Sequence, residues 1–243
     1  RRRQRQCCRP LYELKRSLYQ LGKKKSDSLC DVCERKVKII EEPKCMKCGK
    51  QLESELKEYC EQCSRKSFHF NKGFTLFNYE EEVRALIIKL KYKGRRDIAK
   101  YFAKEIYLNY GEQLKELMAD ALIPVPIHKE RLITRGYNQA ESIASELSRY
   151  MGIPCIEEIL VRKKQTEAQK KLSGNERLIN LSDAFEIDEN ALLVYKKRMS
   201  LKRVILIDDI FTTGSTIECC SLTLKKYGIT EVWFVAVAST RNL

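Results

Sequence analysis

VILIDDIFTTGST, residues 204–216, is the stretch whose reading decides the fold. An apolar run that ends in Asp208 and Asp209 reads as a buried strand with two carboxylates at its carboxyl end. Thr212, Thr213, Gly214, Ser215 and Thr216 follow as a hydroxyl- and glycine-rich turn. Ile217, Cys220, Ser221 and Leu224 then recur at i, i+3, i+4 and i+7, the spacing of a helix face. Such a unit is suited to a phosphorylated sugar. The turn amides and the helix N-terminus favour a phosphate dianion. The carboxylates can accept hydrogen bonds from ribose hydroxyls, and Gly214 can take a positive φ where backbone approaches ligand. A capped strand–turn–helix of any α/β protein has the same outline. Two adjacent acids before Thr-Thr-Gly-Ser-Thr form the rarer combination.

Working outward, GFTLFNY (73–79) reads as a strand, and Val83, Leu86, Ile87 and Leu90 mark a helix that leads into a basic turn over Lys89–Gly94. Ala121 to Ile127 is a strand that must end at Pro124 and Pro126, which cannot donate to a ladder. A helix is expected from about Asn138 to Tyr150, and further strands at Ile156–Val161, Arg203–Ile207 and Glu231–Ala238. Near-continuous apolar strands alternating with helices predict an α/β fold with a mostly parallel sheet covered on both faces. Ligands of such sheets bind beyond the carboxyl ends of the strands. Two basic segments are expected to converge there. VPIHKERLITRGYNQA (125–140) places Arg135, Gly136, Tyr137, Asn138 and Gln139 at a loop–helix junction, where an Arg fork and amide donors suit pyrophosphate oxygens. LVRKKQTEAQKKLSGNERLINLSDAF (160–185), with Arg162 and Lys163, is too long for a passive connection and reads as a lid.

The chain has 243 residues, enough for one α/β domain and a small appendage, and 47 Lys and Arg against 33 Asp and Glu give a formal charge of +14. Residues 1–72 hold 20 of those cations and only 10 acids. This balance suits an anionic partner such as nucleic acid, or a solvated, solubilising surface. No stretch approaches the roughly 18 apolar residues of a membrane span. The basic, polar start carries no evident secretion signal, so reduced cysteines and a cytoplasmic location are expected. Peripheral association with the inner membrane through partners is compatible with this reading. Leu11, Leu14, Leu18 and Leu21 at helical spacing describe either a short basic amphipathic helix or a frayed terminus.

Of the eleven cysteines, six form three C-x2-C pairs, Cys30/Cys33, Cys45/Cys48 and Cys60/Cys63, each eleven residues from the next. Two knuckles supply four thiolates in a tetrahedron about Zn2+, at about 2.3 Å each. The run Cys45-Met46-Lys47-Cys48-Gly49-Lys50 is typical of a zinc-ribbon knuckle, and Cys45, Cys48, Cys60 and Cys63 are the favoured site. Pairing Cys30 and Cys33 with Cys45 and Cys48 satisfies the same spacing, and Cys30 and Cys33 can equally belong to a second ribbon for which only Cys7 and Cys8 stand upstream. Three parts follow: a basic segment over 1–29, a cysteine-rich ribbon over 30–72 with 64–73 as linker, and an α/β domain over 73–243. His69 lacks a partner at ligand spacing, and Cys155, Cys219 and Cys220 sit in apolar contexts as small core residues.

IDDIFTTGST (207–216) resembles the phosphoribosyl pyrophosphate (PRPP) motif of type I phosphoribosyltransferases. Together with the knuckles, KLKYKG (89–94), VPIHKERLITRGYNQA, Arg162-Lys163 and the Gln169, Arg177, Asn180 pattern, it makes the chain resemble the ComF (ComFC) family. The resemblance implies a zinc ribbon joined to a phosphoribosyltransferase-like domain. It implies a role in natural competence, in which imported single-stranded DNA reaches the cytoplasm with a helicase-like partner. It implies that Asp208 and Asp209 hold the ribose hydroxyls, that Thr212, Thr213, Gly214, Ser215 and Thr216 cradle the 5′-phosphate, and that PRPP binds with Mg2+. If the domain is catalytic, Asp208, Asp209 and Arg135 carry the reaction, and Arg135, Gly136, Asn138, Gln139, Arg162 and Lys163 serve the pyrophosphate and lid. His128 is a candidate proton carrier, and Phe68, Phe70, Tyr92 and Tyr137 are candidates to stack DNA bases. A nucleobase or amine phosphoribosyltransferase of nucleotide metabolism is the alternative.

Overall fold

The computed structural model of the chain describes residues 36–163 and 184–240. The basic segment 1–29, Cys7, Cys8, Cys30, Cys33 and most of the expected lid, 164–183, lie outside the described residues. Four strands, β1 (Gly73–Asn78), β2 (Ala121–Pro124), β5 (Arg203–Phe211) and β6 (Glu231–Ser239), form one parallel sheet in the order β1-β6-β5-β2. Two short strands, β3 (Leu160–Arg162) and β4 (Phe185–Ile187), pair antiparallel beside it. The α/β expectation of a mostly parallel sheet with a small cysteine-rich appendage is borne out.

The covering of both faces follows from strand alternation. Ile205, Ile207, Val235 and Val237 point to one face, under α2 (Glu81–Tyr92), α3 (Asp97–Glu116) and α5 (Gln139–Met151). Val204, Leu206, Phe234 and Ala236 point to the other, under α7 (Ser215–Lys226) and the cysteine ribbon. The remaining helices are short: α1 (Glu61–Arg65), α4 (Lys129–Arg135) and α6 (Glu189–Arg198). The expected helix near Asn138 begins at Gln139, with Asn138 as its N-cap accepting from the Ala140 amide at 3.1 Å, and Gly152 closes it in the left-handed conformation.

Three readings need correction. β5 does not end at its acids but runs on to Phe211, because β6 continues to pair with it there. The expected strand Ile156–Val161 forms a strand only over Leu160–Arg162, outside the main sheet, while Ile156 at its start is tied to β2, its amide donating to Leu122 O at 2.9 Å. Ile156 and Ile159 are fully buried, so between these two contacts the apolar run marks burial rather than a continuous ladder. The segment 64–73 is no free linker: Phe70 is fully buried, stacked on Phe68 and edge-on to Phe211 and Phe234.

The ribbon is therefore continuous with the domain core. The Gly73 amide donates to Lys47 O at 2.8 Å, and Thr75 Oγ1 donates to Cys48 O at 3.0 Å. Gly49, at φ +74°, lies so close to β1 that a Cβ there would stand 2.8 Å from the Thr75 nitrogen. Replacing Phe70 with Ala is expected to lower the unfolding free energy by about 3–4 kcal/mol, read from denaturant titration of the whole chain.

Candidate phosphosugar and metal sites

The knuckles bring Cys45, Cys48, Cys60 and Cys63 together, with all four sulfurs within 4.8 Å of one another and the first three residues buried. Tetrahedral sulfurs about 2.3 Å from one zinc ion stand about 3.8 Å apart, and Cys48 Sγ lies 3.7 Å from Cys60 Sγ. The Cys60 amide donates to Cys45 Sγ at 3.3 Å, as suits a thiolate. Crowded thiols compete for protons: the Cys48 S–H holds Cys45 below the ordinary thiol value, and Cys48 itself is pushed above it, chiefly by Cys45. One ion held by four thiolates relieves that competition. The donor set fits zinc; among the described residues Cys45, Cys48, Cys60 and Cys63 form the cluster, and Cys30 and Cys33 lie outside the described residues.

The second site stands where the β2–β5 ladder stops. Pro124 is opposite Ile207, Val125 N donates to Ile207 O at 2.9 Å, and β5 then delivers Asp208 and Asp209. Alternation sends the two carboxylates to opposite faces of the strand end. Asp209 Oδ2 is 2.7 Å from Lys91 Nζ of α2, an ion pair between two largely covered groups. The pair is not aligned as a hydrogen bond, so this buried oxygen keeps an open acceptor. Asp208 Oδ1 accepts from the Asp209 amide at 2.8 Å. Burial and then the charge of Asp209 push Asp208 up to about 7, while that amide, Lys91 and Arg162 act the other way. Arg162 is in turn lowered by burial and by Arg131, with Asp208 supporting its charge.

The loop after β5 is open to an anion. Gly214, at φ +79°, is the N-cap of the twelve-residue α7 and offers no side chain to the first amides. A Cβ at Gly214 would also stand 3.1 Å from both Phe211 and Phe68 ring atoms. Thr213 Oγ1 and Ser215 Oγ lie 2.9 Å apart, and Thr212 and Thr213 are exposed. Among the described residues, the buried side-chain polar atoms without a hydrogen-bond partner are Asn78 Oδ1, His128 Nε2, Tyr137 OH, Gln139 Nε2, Asp209 Oδ2 and Ser239 Oγ. Asn78, Asp209 and Ser239 lie at the carboxyl ends of β1, β5 and β6, His128 follows β2 by four residues, and Tyr137 and Gln139 flank Asn138, whose side chain is tied to Val125 O. Buried groups left unsatisfied on one side of a fold point to an occupant that completes them.

Other expected residues are dispersed. Arg135 stacks on Tyr92 at 4.8 Å from the ring centroid and donates to its hydroxyl at 2.9 Å, which brings it beside Lys91 at the end of α2. Gly136 closes α4 in the left-handed conformation. Asn138 is committed to capping α5 and to Val125 O, which accepts its amide at 3.0 Å. Lys163 is exposed and faces Glu186 at 3.9 Å, because alternation along β3 sets it on the face opposite Arg162. His128 Nδ1 caps α4, accepting from the Glu130 amide. Of the proposed stacking aromatics, Phe70 and Tyr137 are buried, so the reading is corrected for both; Tyr92 is 61% exposed.

The chain is 34% identical to competence protein F of Haemophilus influenzae over 219 residues, 87% of this chain and 91% of that protein. The chain belongs to the competence protein F family. This ComF-family chain is also 29% identical to the DNA utilization protein YhgH of Escherichia coli O157:H7 (84% of this chain, 88% of the relative). It is 26% identical to competence protein ComFC of Bacillus subtilis (88% and 83%). The model of the double zinc ribbon domain matches residues 20–64, a span that includes Cys30 and Cys33 as well as all four clustered cysteines. A purine phosphoribosyltransferase from Pyrococcus horikoshii aligns over 57% of this chain and 73% of its own, at 20% identity and a TM-score of 0.33. Among the described residues no helix of the ComF-family chain is long and apolar enough to cross a membrane.

Sequence reading missed two residues at these sites. Lys91 was visible only as part of a basic run, although its place one turn beyond the apolar face of Ile87 and Leu90 carries it to the end of α2. Lys50 was read as part of a knuckle, and its Nζ donates to Thr212 O in the loop before α7.

Cys48→Ser is expected to lower the zinc content of the purified protein by one ion per chain, read with a chromophoric chelator after denaturation. The carboxylate pair gives a pH test. Asp208 has a folded value near 7 against 3.8 unfolded, so folding takes up a proton between those values. That contribution to stability is complete below about pH 4 and lost as the pH rises through about 7. Asp208→Asn removes the loss, so its stability relative to wild type is expected to rise by roughly 1–3 kcal/mol between pH 4.5 and 8, read from paired denaturation curves.

Proposed function

We propose that the protein binds PRPP with Mg2+ at the carboxyl ends of β5 and β2 and serves the uptake of transforming DNA in the cytoplasm. The observation that carries the binding reading is the adjacent Asp208–Asp209 pair near the end of β5, followed directly by the Gly214-capped helix, with His128 Nε2, Tyr137 OH and Gln139 Nε2 buried without hydrogen-bond partners in the segment after β2. A ribose lying across the end of β5 meets one carboxylate from each face, and its 5′-phosphate falls on the amides of Thr213–Thr216. Mg2+ would be shared between ligand oxygens, water and these carboxylates, neutralising pyrophosphate charge. Arg135, Arg162 and Lys91 line the approach with positive charge suited to a leaving pyrophosphate.

The relatives' names speak of competence and DNA utilization. The charge of +14 suits single-stranded DNA as a partner. Tyr92, exposed and backed by Arg135, offers a base-stacking face. A helicase-like competence partner belongs to the same reading. The acceptor of any phosphoribosyl transfer is left to experiment, and release of pyrophosphate from PRPP with an added nucleobase or amine would favour a transferase of nucleotide metabolism.

Calorimetric titration of the zinc-replete chain with PRPP and Mg2+ tests the site. Saturable binding is expected in wild type and a loss of about 100-fold or more in the Asp208→Ala, Asp209→Ala double variant, as befits charged hydrogen bonds. Absence of binding by the folded wild type would overturn the phosphosugar reading. Affinity for single-stranded DNA is expected to fall steeply with salt in both proteins.

A further inference from the structure

Lys50 is 2% exposed, a buried ammonium in a protein with cations to spare at its surface. Its Nζ donates to Thr212 O at 2.6 Å and to Gln62 Oε1 at 3.5 Å, and stands 5.4 Å from the centroid of the Phe211 ring. Among the described residues no carboxylate lies within ion-pair distance of it. A buried charge needs a compensating one. Lys50 follows Cys48 by two residues. Four thiolates with one Zn2+ would carry two net negative charges, and Lys50 reaches the second pair of that cluster through Gln62, which lies between Cys60 and Cys63.

The other end of Lys50 reaches the phosphate loop. Thr212 O is the carbonyl that precedes Thr213, and its orientation fixes the peptide that opens the turn into α7. The same turn is held from the ribbon side in two further ways. Phe68 packs against Gly214, and the His69 amide donates to Glu218 Oε2 at 2.8 Å in the first turn of α7. The His69 ring nitrogen also meets Glu218 Oε1 as an ion pair, and Lys50 differs from these contacts in being rooted in the knuckle itself and in holding a carbonyl of the loop directly.

We infer that Lys50 is a positioning residue through which the cysteine metal centre sets the conformation of the Thr212–Thr216 loop, so that phosphosugar affinity depends on zinc occupancy. This rests on the phosphosugar reading for its ligand, and not for the Lys50–Thr212 link itself. The ribbon then regulates the ligand site in addition to completing the fold.

The test is Lys50→Met, which keeps length and apolar bulk but removes the donor and charge. Three quantities are read on the full chain: zinc content, the dissociation constant for PRPP with Mg2+, and hydrogen exchange of the amides of residues 213–217 against those of the ribbon. The expected result is full zinc content, binding weaker by about tenfold or more, and faster exchange confined to 213–217. The Asp208→Ala, Asp209→Ala variant should lose binding while its loop exchange stays at the wild-type rate relative to the ribbon. Unchanged affinity and unchanged exchange in Lys50→Met would overturn the inference. If wild type binds no PRPP, the phosphosugar reading fails and the exchange comparison alone decides whether Lys50 holds the loop. If Lys50→Met does not fold with zinc bound, Lys50→Gln, with a shorter neutral donor, takes its place in the same measurements.

Discussion

The parallel ladder between β2 and β5 stops at Ile207, while the ladder between β5 and β6 runs on to Phe211. Much of the site depends on that difference. On one side β5 is still held in extended form, so Asp208 and Asp209 keep strand alternation and point to opposite faces. On the other side no neighbour remains, and the segment after β2 can leave the sheet and bring His128, Tyr137 and Gln139 to the same end. Val125 makes the last rung to Ile207 O, while Pro124 and Pro126, at the alternate positions, face away from β5 and cannot donate to a strand on that other edge.

Two carboxylates on adjacent residues, largely covered, are costly for a fold at rest. Lys91 offsets Asp209 directly, whereas Asp208 is left with a backbone amide and more distant cations. Such an arrangement is retained where a ligand repays it, and the open polar atoms in the segment after β2 have the same meaning. The stability of this region is thus expected to respond to ligand more than that of the sheet, whose core is apolar on both faces.

The ribbon belongs to this picture by packing. It lies along β1, its exit carries Phe70 into the core under Phe234, and its knuckle places a lysine against the Thr212–Thr216 loop. A small metal-bound module commonly stands alone as a folding unit. Here its four sulfurs share one core with Phe211, Ile217 and Cys220, so metal, sheet and loop are one body.

The sequence by itself determined what is local and periodic. The α5 helix and its Asn138 cap, the β1, β2 and β6 strands, the knuckle spacing and the Thr212–Thr216 turn were all legible, because each depends on residues within a few positions of one another. The helix over Asp97–Glu116 has the same legible pattern in Ile98, Phe102, Ile106, Tyr110 and Leu114. Tertiary structure alone decided where burial ends and pairing begins. Ile156–Val161 looked like a strand because buried runs and paired runs share one composition. Phe70 and Tyr137 looked free to stack because aromatics among lysines read as surface. Lys50 looked like a solvated knuckle cation, and its partner Thr212 lies 162 residues away. Contacts of that separation leave no periodic trace in the chain; they exist only once the sheet has brought its carboxyl ends together.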